Sequence, residues 1–119
     1  ARQSADIVAT DLALESKVQE LSGLAPQSTV EQLIFALTRF QDREHVLLVG
    51  HEPLLSQSIA FLITGEKNSS LALTLKKAGL CQVEIHGMPP SEPGTLRFWL
   101  TPKQLRLIGK SAAKKRHEE

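Results

Sequence analysis

Four consecutive apolar residues, Val46-Leu47-Leu48-Val49, stand between a charged loop and the turn-forming Gly50-His51-Glu52-Pro53. A run this short, bounded in this way, predicts a strand covered on both faces, the kind that parallel sheets use. Pro53 suits the first turn of a following helix, and Leu55, Ile59, Leu62 and Ile63 then repeat at helical spacing as far as Thr64-Gly65. On the other side, Ser28 with Glu31 three residues on reads as a capping box. Val30, Leu33, Ile34, Leu37 and Phe40 continue it as a one-faced helix. Helix, buried strand and helix in succession predict an α/β fold. The expected form is a three-layer sandwich with a mostly parallel central sheet and helices on both faces.

Around this centre the pattern is simpler. Ala1 to about Leu14 reads as an amphipathic helix and Lys17 to Leu21 as a short alternating run. Gly23 to Gln27, with Pro26, reads as a loop, and Glu66 to Ser70 as a polar one. Leu80–Ile85 and Thr95–Leu100 predict two strands joined by the Gly- and Pro-containing loop Gly87 to Gly94, an antiparallel pair at a sheet edge. Pro102 to Ile108 predicts a short helical turn. The sequence thus divides into one domain over residues 1–109 and a charged, disordered tail over 110–119. Such a sheet needs more parallel strands than these residues supply. Helical spacing of Ala5, Val8 and Leu12 also begins with no cap ahead of it, and the sole methionine is Met88. The expectation is a domain incomplete at its N-terminus.

Charge and composition exclude several functions. The 119 residues carry 14 Lys and Arg against 13 Asp and Glu, a net charge of +1. That balance creates no field for nucleic acid or an anionic membrane, so neither is expected as a partner. No apolar run approaches the length of a membrane span. The single cysteine, Cys81, excludes an intrachain disulfide and suits a reducing, cytoplasmic compartment. No Cys/His cluster has metal-ligand spacing, so no metal or other cofactor is expected.

His51 is the candidate catalytic residue. If the strand and helix form as expected, it lies just beyond a strand's carboxyl end, where open α/β sheets place ligands. It also lies at the amino end of the next helix, whose free N–H groups favour an anion. Gly50 would let the backbone approach a bound group. Imidazole changes charge near neutral pH and can stabilise a phosphoryl oxygen or exchange a proton. The alternative is a turn histidine satisfied by backbone groups. Glu52 reads as a first-turn carboxylate that must be protonated or point away from any phosphate. Lys76 and Lys77 could approach a phosphorylated protein, or be solvated loop charges. His45 and His86 have no partner pattern, Trp99 reads as packing and Cys81 as a small buried apolar residue.

Val49-Gly50-His51-Glu52-Pro53 after an apolar strand resembles the second-histidine motif of the histidine phosphatase superfamily, and in particular its SixA-type phosphohistidine phosphatases. Ala1-Arg2-Gln3-Ser4-Ala5 is similar to the interior of that branch's Arg-Ala-x-Gln-Thr-Ala helix, with Ser4 in place of threonine. The likeness extends over about residues 1–109. No Arg-His-Gly, the segment that supplies the family's phosphorylated histidine, occurs in the sequence. The helix motif's arginine would immediately precede Ala1, so Arg2 does not inherit its role.

The resemblance implies a metal-independent hydrolase working in two steps. An upstream histidine takes a phosphoryl group from a histidine-phosphorylated signalling or phosphocarrier protein, and water then releases it. His51 would add charge stabilisation to the phosphoryl oxygens. The proton donor is left unassigned, with Glu20 in roughly the region where some relatives carry it. A small phosphate ester as substrate, and a catalytically silent α/β binding module, remain open beside this reading.

Overall fold

The computed structural model describes residues 19–25, 27–67 and 71–118. The expected helix over Ala1–Leu14, with the arginine-helix motif inside it, lies outside the described residues. Those residues form α1 (Val30–Leu37), α2 (Leu54–Thr64), β1 (Leu80–Glu84), β2 (Thr95–Leu100) and α3 (Pro102–Glu118). Two single 3-10 turns accompany them, Ser22–Leu24 and Thr38–Phe40. The chain is therefore of mixed α/β character, with three α-helices and a two-stranded antiparallel sheet among the described residues.

Helix α1 starts one residue later than the capping pattern of Ser28 and Glu31 predicts. The segment Ser28-Thr29-Val30-Glu31-Gln32 contains two overlapping boxes, and the chain uses the second. The Thr29 hydroxyl accepts from the Gln32 N–H at 3.2 Å, and the Gln32 side-chain Oε1 accepts from the Thr29 N–H at 2.8 Å. Ser28 is otherwise engaged, donating to the Ser22 carbonyl at 2.9 Å. The predicted apolar stripe then does what its spacing implies. Leu33, Ile34 and Leu37 are buried, and Thr38–Phe40 tightens into a 3-10 turn.

Helix α2 ends as the Thr64-Gly65 signal predicts, with Gly65 in the left-handed region at φ 76° and its N–H on the Phe61 carbonyl at 2.7 Å. The centre of the core is Leu33, which is fully buried, with Leu37 and Leu54. Leu21, Leu24, Val30, Phe40, Leu48 and Met88 pack around them. Each full burial of a leucine side chain contributes about 2 kcal/mol.

The hairpin is as expected from sequence. β1 pairs antiparallel with β2, with Leu80 opposite Leu100 and Glu84 opposite Thr95, and an irregularity between Gln82 and Val83. Arg97 and Glu84 form an ion pair across its outer face, with Nε donating to Oε2 at 2.6 Å. The hairpin is tied to α2 at Gly94, whose N–H donates to the Leu62 carbonyl at 2.6 Å. A Cβ on Gly94 would stand 2.8 Å from the Glu84 carbonyl oxygen and 3.1 Å from that of Leu62, so only glycine allows this approach.

Two expectations need correction. Val46–Val49 forms no strand: it has no ladder pairing, and Val46 and Leu47 are 49% and 55% exposed. A strand exists only with a neighbour to take its N–H and C=O groups, and no described segment forms a ladder with this run. The mostly parallel sheet is accordingly not seen among the described residues. The second correction concerns the C-terminus. Pro102 opens not a short turn but a helix that runs on through Glu118, across the expected disordered tail. Thr101 caps it with a reciprocal box, Thr101 N–H to Gln104 Oε1 at 2.9 Å and Gln104 N–H to Thr101 Oγ1 at 3.2 Å. Pro102 occupies the first helical position, where its missing N–H costs nothing. Beyond Gly109 the composition is rich in Ala, Lys and Arg, strong helix formers that no proline interrupts.

Candidate functional site

The corner Gly50-His51-Glu52-Pro53 connects the apolar run to α2. Gly50 is packed there by the protein itself: a Cβ would lie 3.1 Å from Leu24 Cδ2 and 3.3 Å from Leu55 Cδ2. Its lack of a side chain therefore serves the approach of two leucines, where the sequence suggested the approach of a ligand. Pro53 is the N-cap of α2 and has no side chain to offer the first free N–H groups. Glu52 supplies what Pro53 cannot. Its Oε1 accepts from the Ser56 N–H at 2.9 Å, and its Oε2 accepts a short hydrogen bond from the Ser56 hydroxyl.

This arrangement alters the expected electrostatics of the corner. The Leu55 N–H donates to the His51 carbonyl at 3.3 Å and the Ser56 N–H is held by Glu52. Proline has no N–H, so three of the four leading positions of α2 have none left to present. The helix dipole here is met by the protein's own carboxylate, a stabilising placement that leaves little for an external anion. Both Glu52 oxygens are committed to Ser56.

His51 is exposed, and among the described residues no hydrogen-bond or ion-pair partner is found for its ring. It lines neither of two surface hollows. One, of about 250 Å³, runs between Val30, Ile34, Phe35, Phe61 and Pro89 under the Glu31–Lys67 ion pair. The other, of about 600 Å³, lies along Leu21, Ser28, Gln32 and Arg39. The structure thus presents an available imidazole at a loop-to-helix corner, outside both of these hollows.

Ser56 is the residue that sequence reasoning missed. It is 5% exposed, and its hydroxyl, besides donating to Glu52, accepts the Leu75 N–H at 2.9 Å. One buried oxygen therefore joins the His51 corner to the segment that leads into β1. The available signal was a serine four residues after a carboxylate that precedes a helix, a spacing that lets the two meet over the first turn.

Lys76 and Lys77 are exposed in a turn closed by the Gly79 N–H on the Lys76 carbonyl at 2.7 Å. His45 and His86 are exposed, and Trp99 is half-buried in β2 opposite Cys81. Burial pushes the Cys81 thiol above its ordinary pKa. Glu20 is exposed. Among the described residues no group of three or more His, Cys, Asp or Glu could hold a metal ion, and no helix is long and apolar enough to cross a membrane. No protein-family model, curated protein or solved structure matches the chain.

Proposed function

We propose that the chain is part of a phosphohistidine phosphatase, with His51 stabilising the phosphoryl group and the nucleophilic histidine upstream of Ala1. The single observation that supports this reading is the exposed imidazole of His51, without a partner among the described residues, on the Gly50-His51-Glu52-Pro53 corner, with the adjacent carboxylate turned onto Ser56. A free imidazole can carry charge to a phosphoryl oxygen, and a neighbouring carboxylate engaged by its own donors repels that oxygen less. The proposal includes the finer fold, a mostly parallel sheet with helices on both faces. It requires pairing partners for Val46–Val49, whose exposed Val46 and Leu47 side chains such a strand would cover. The proposed substrate is a histidine-phosphorylated protein, and the proposed setting is cytoplasmic.

The test uses the longest reading frame that contains these residues. Its product should release phosphate from a histidine-phosphorylated protein without added metal, and His51→Ala should slow release by about a hundredfold or more, the scale of losing one charge-stabilising donor. Residues 1–119 alone should not turn over. Unchanged release by His51→Ala refutes the assignment. A specific observation also favours the silent binding module: the leading N–H groups of α2 are already occupied by Glu52 and His51. Absence of release by the longer product would select that reading.

A further inference from the structure

We infer that the Lys76–Gly79 turn is the contact by which the His51 corner engages an acidic protein partner. The inference rests on the reading of His51 as facing a phosphoryl group, and it specifies the carrier of that group as a protein with acidic residues beside it. Three observations lead there. The Leu75 N–H is fixed to the buried Ser56 hydroxyl, and the same hydroxyl holds Glu52, the residue after His51. The turn that begins one residue later therefore has its root at the His51 corner, although 25 residues separate Lys76 from His51 in sequence. The turn itself is closed by the Gly79 N–H on the Lys76 carbonyl and carries Ala78 at φ 65°, so both lysines leave a defined backbone.

The third observation is charge. Lys76 and Lys77 are the only charged residues from Leu71 to Val83. Both are exposed, and neither has a carboxylate partner among the described residues. Glu52, the acid of the corner, is committed to Ser56. A local charge of +2 on a chain of net +1 gives a short-range docking point without the broad field that would gather nucleic acid. A small phosphate ester with no second acidic group has nothing for two lysines set to one side. An acidic protein face does.

The experiment measures binding by the full 119-residue chain. The probe is a short fluorescent peptide rich in Asp and Glu that bears a hydrolysis-stable phosphohistidine mimic. The comparison probes are inorganic phosphate, followed through the backbone amide resonances of Gly50 and Glu52, and a short single-stranded oligonucleotide. Lys76→Glu with Lys77→Glu should weaken the peptide about tenfold, or about 1.4 kcal/mol, and leave the response to phosphate unchanged. High salt should weaken the parent chain's peptide binding similarly. Equal peptide affinity in parent and double variant overturns the inference. So does failure of the parent to bind the peptide, or tighter binding of the oligonucleotide. If His51→Ala changes neither the peptide nor the phosphate response while the lysine variant weakens the peptide, the lysine contact stands and the phosphoryl role of His51 fails.

Discussion

Two serines on one helix, Ser56 and Ser58, are equally buried at 5% exposure and should respond in opposite ways to the same substitution. The Ser56 hydroxyl donates to the Glu52 carboxylate and accepts the Leu75 N–H, whereas the Ser58 hydroxyl has no partner among the described residues. Ser56→Ala removes one charge-assisted hydrogen bond, in general worth about 1.5–3 kcal/mol, and leaves a partly buried N–H unsatisfied at about 1–3 kcal/mol. Glu52 is exposed and recovers water when released, which argues for the low end of both ranges. A net loss of about 2.5 kcal/mol results. Ser58→Ala removes only a buried, unpaired hydroxyl and should be neutral or slightly stabilising. Urea unfolding followed by Trp99 fluorescence separates them. With a slope of about 1.5 kcal/mol per molar, Ser56→Ala lowers the midpoint by about 1.7 M, while Ser58→Ala leaves it unchanged or raises it. Equal shifts for the two variants would refute the hydrogen-bond assignment and reduce Ser56 to ordinary packing.

Leu33→Ala should cost about 3–4 kcal/mol by the same assay, because a fully buried leucine at the core centre leaves a cavity; a loss below about 1 kcal/mol would show the core to be loosely packed. Gly65→Ala should cost about 1 kcal/mol and Gly65→Asn less, since a Cβ at Gly65 meets only Pro93 Cγ at 4.0 Å and the penalty is that of the left-handed backbone alone. For Cys81 the folded thiol is raised by burial above the ordinary value of 9.0, so the stability it contributes is complete below that pH. As the pH rises past 9.0, the unfolded chain ionises first and the parent should lose stability relative to Cys81→Ala; parallel stability-against-pH curves would contradict the burial.

Local rules made most of the framework legible. The apolar spacing of Leu33, Ile34 and Leu37 located α1, Gly65 ended α2, and the two runs about Gly87–Gly94 identified the hairpin. What escaped depended on partners that spacing does not encode. The choice between Ser28 and Thr29 as cap was decided by Ser22, six residues upstream, which takes the Ser28 hydroxyl. Val46–Val49 has a strand's composition, but pairing is a property of two segments. The length of α3 rests on the helix propensity of the charged tail and on the Thr101–Gln104 box, neither of which polarity alone reveals. At the corner, position and chemical type identified His51. The Glu52–Ser56–Leu75 link could not be read, because Leu75 lies 19 residues from Ser56 and contributes only its backbone.

Thr101 alone separates the last paired residue of the hairpin from the first turn of α3. The Thr101–Gln104 box ties the base of the helix to the hairpin, so that a helix held stiff there would act as a cantilever whose fulcrum is the hairpin. Seventeen residues give it a length of roughly 25 Å, so a tilt of about 5° at the fulcrum sweeps the far end through about 2 Å. A spin label or dye near that end would thus magnify any rocking of the hairpin, including the strain transmitted when something grips the turn just ahead of β1.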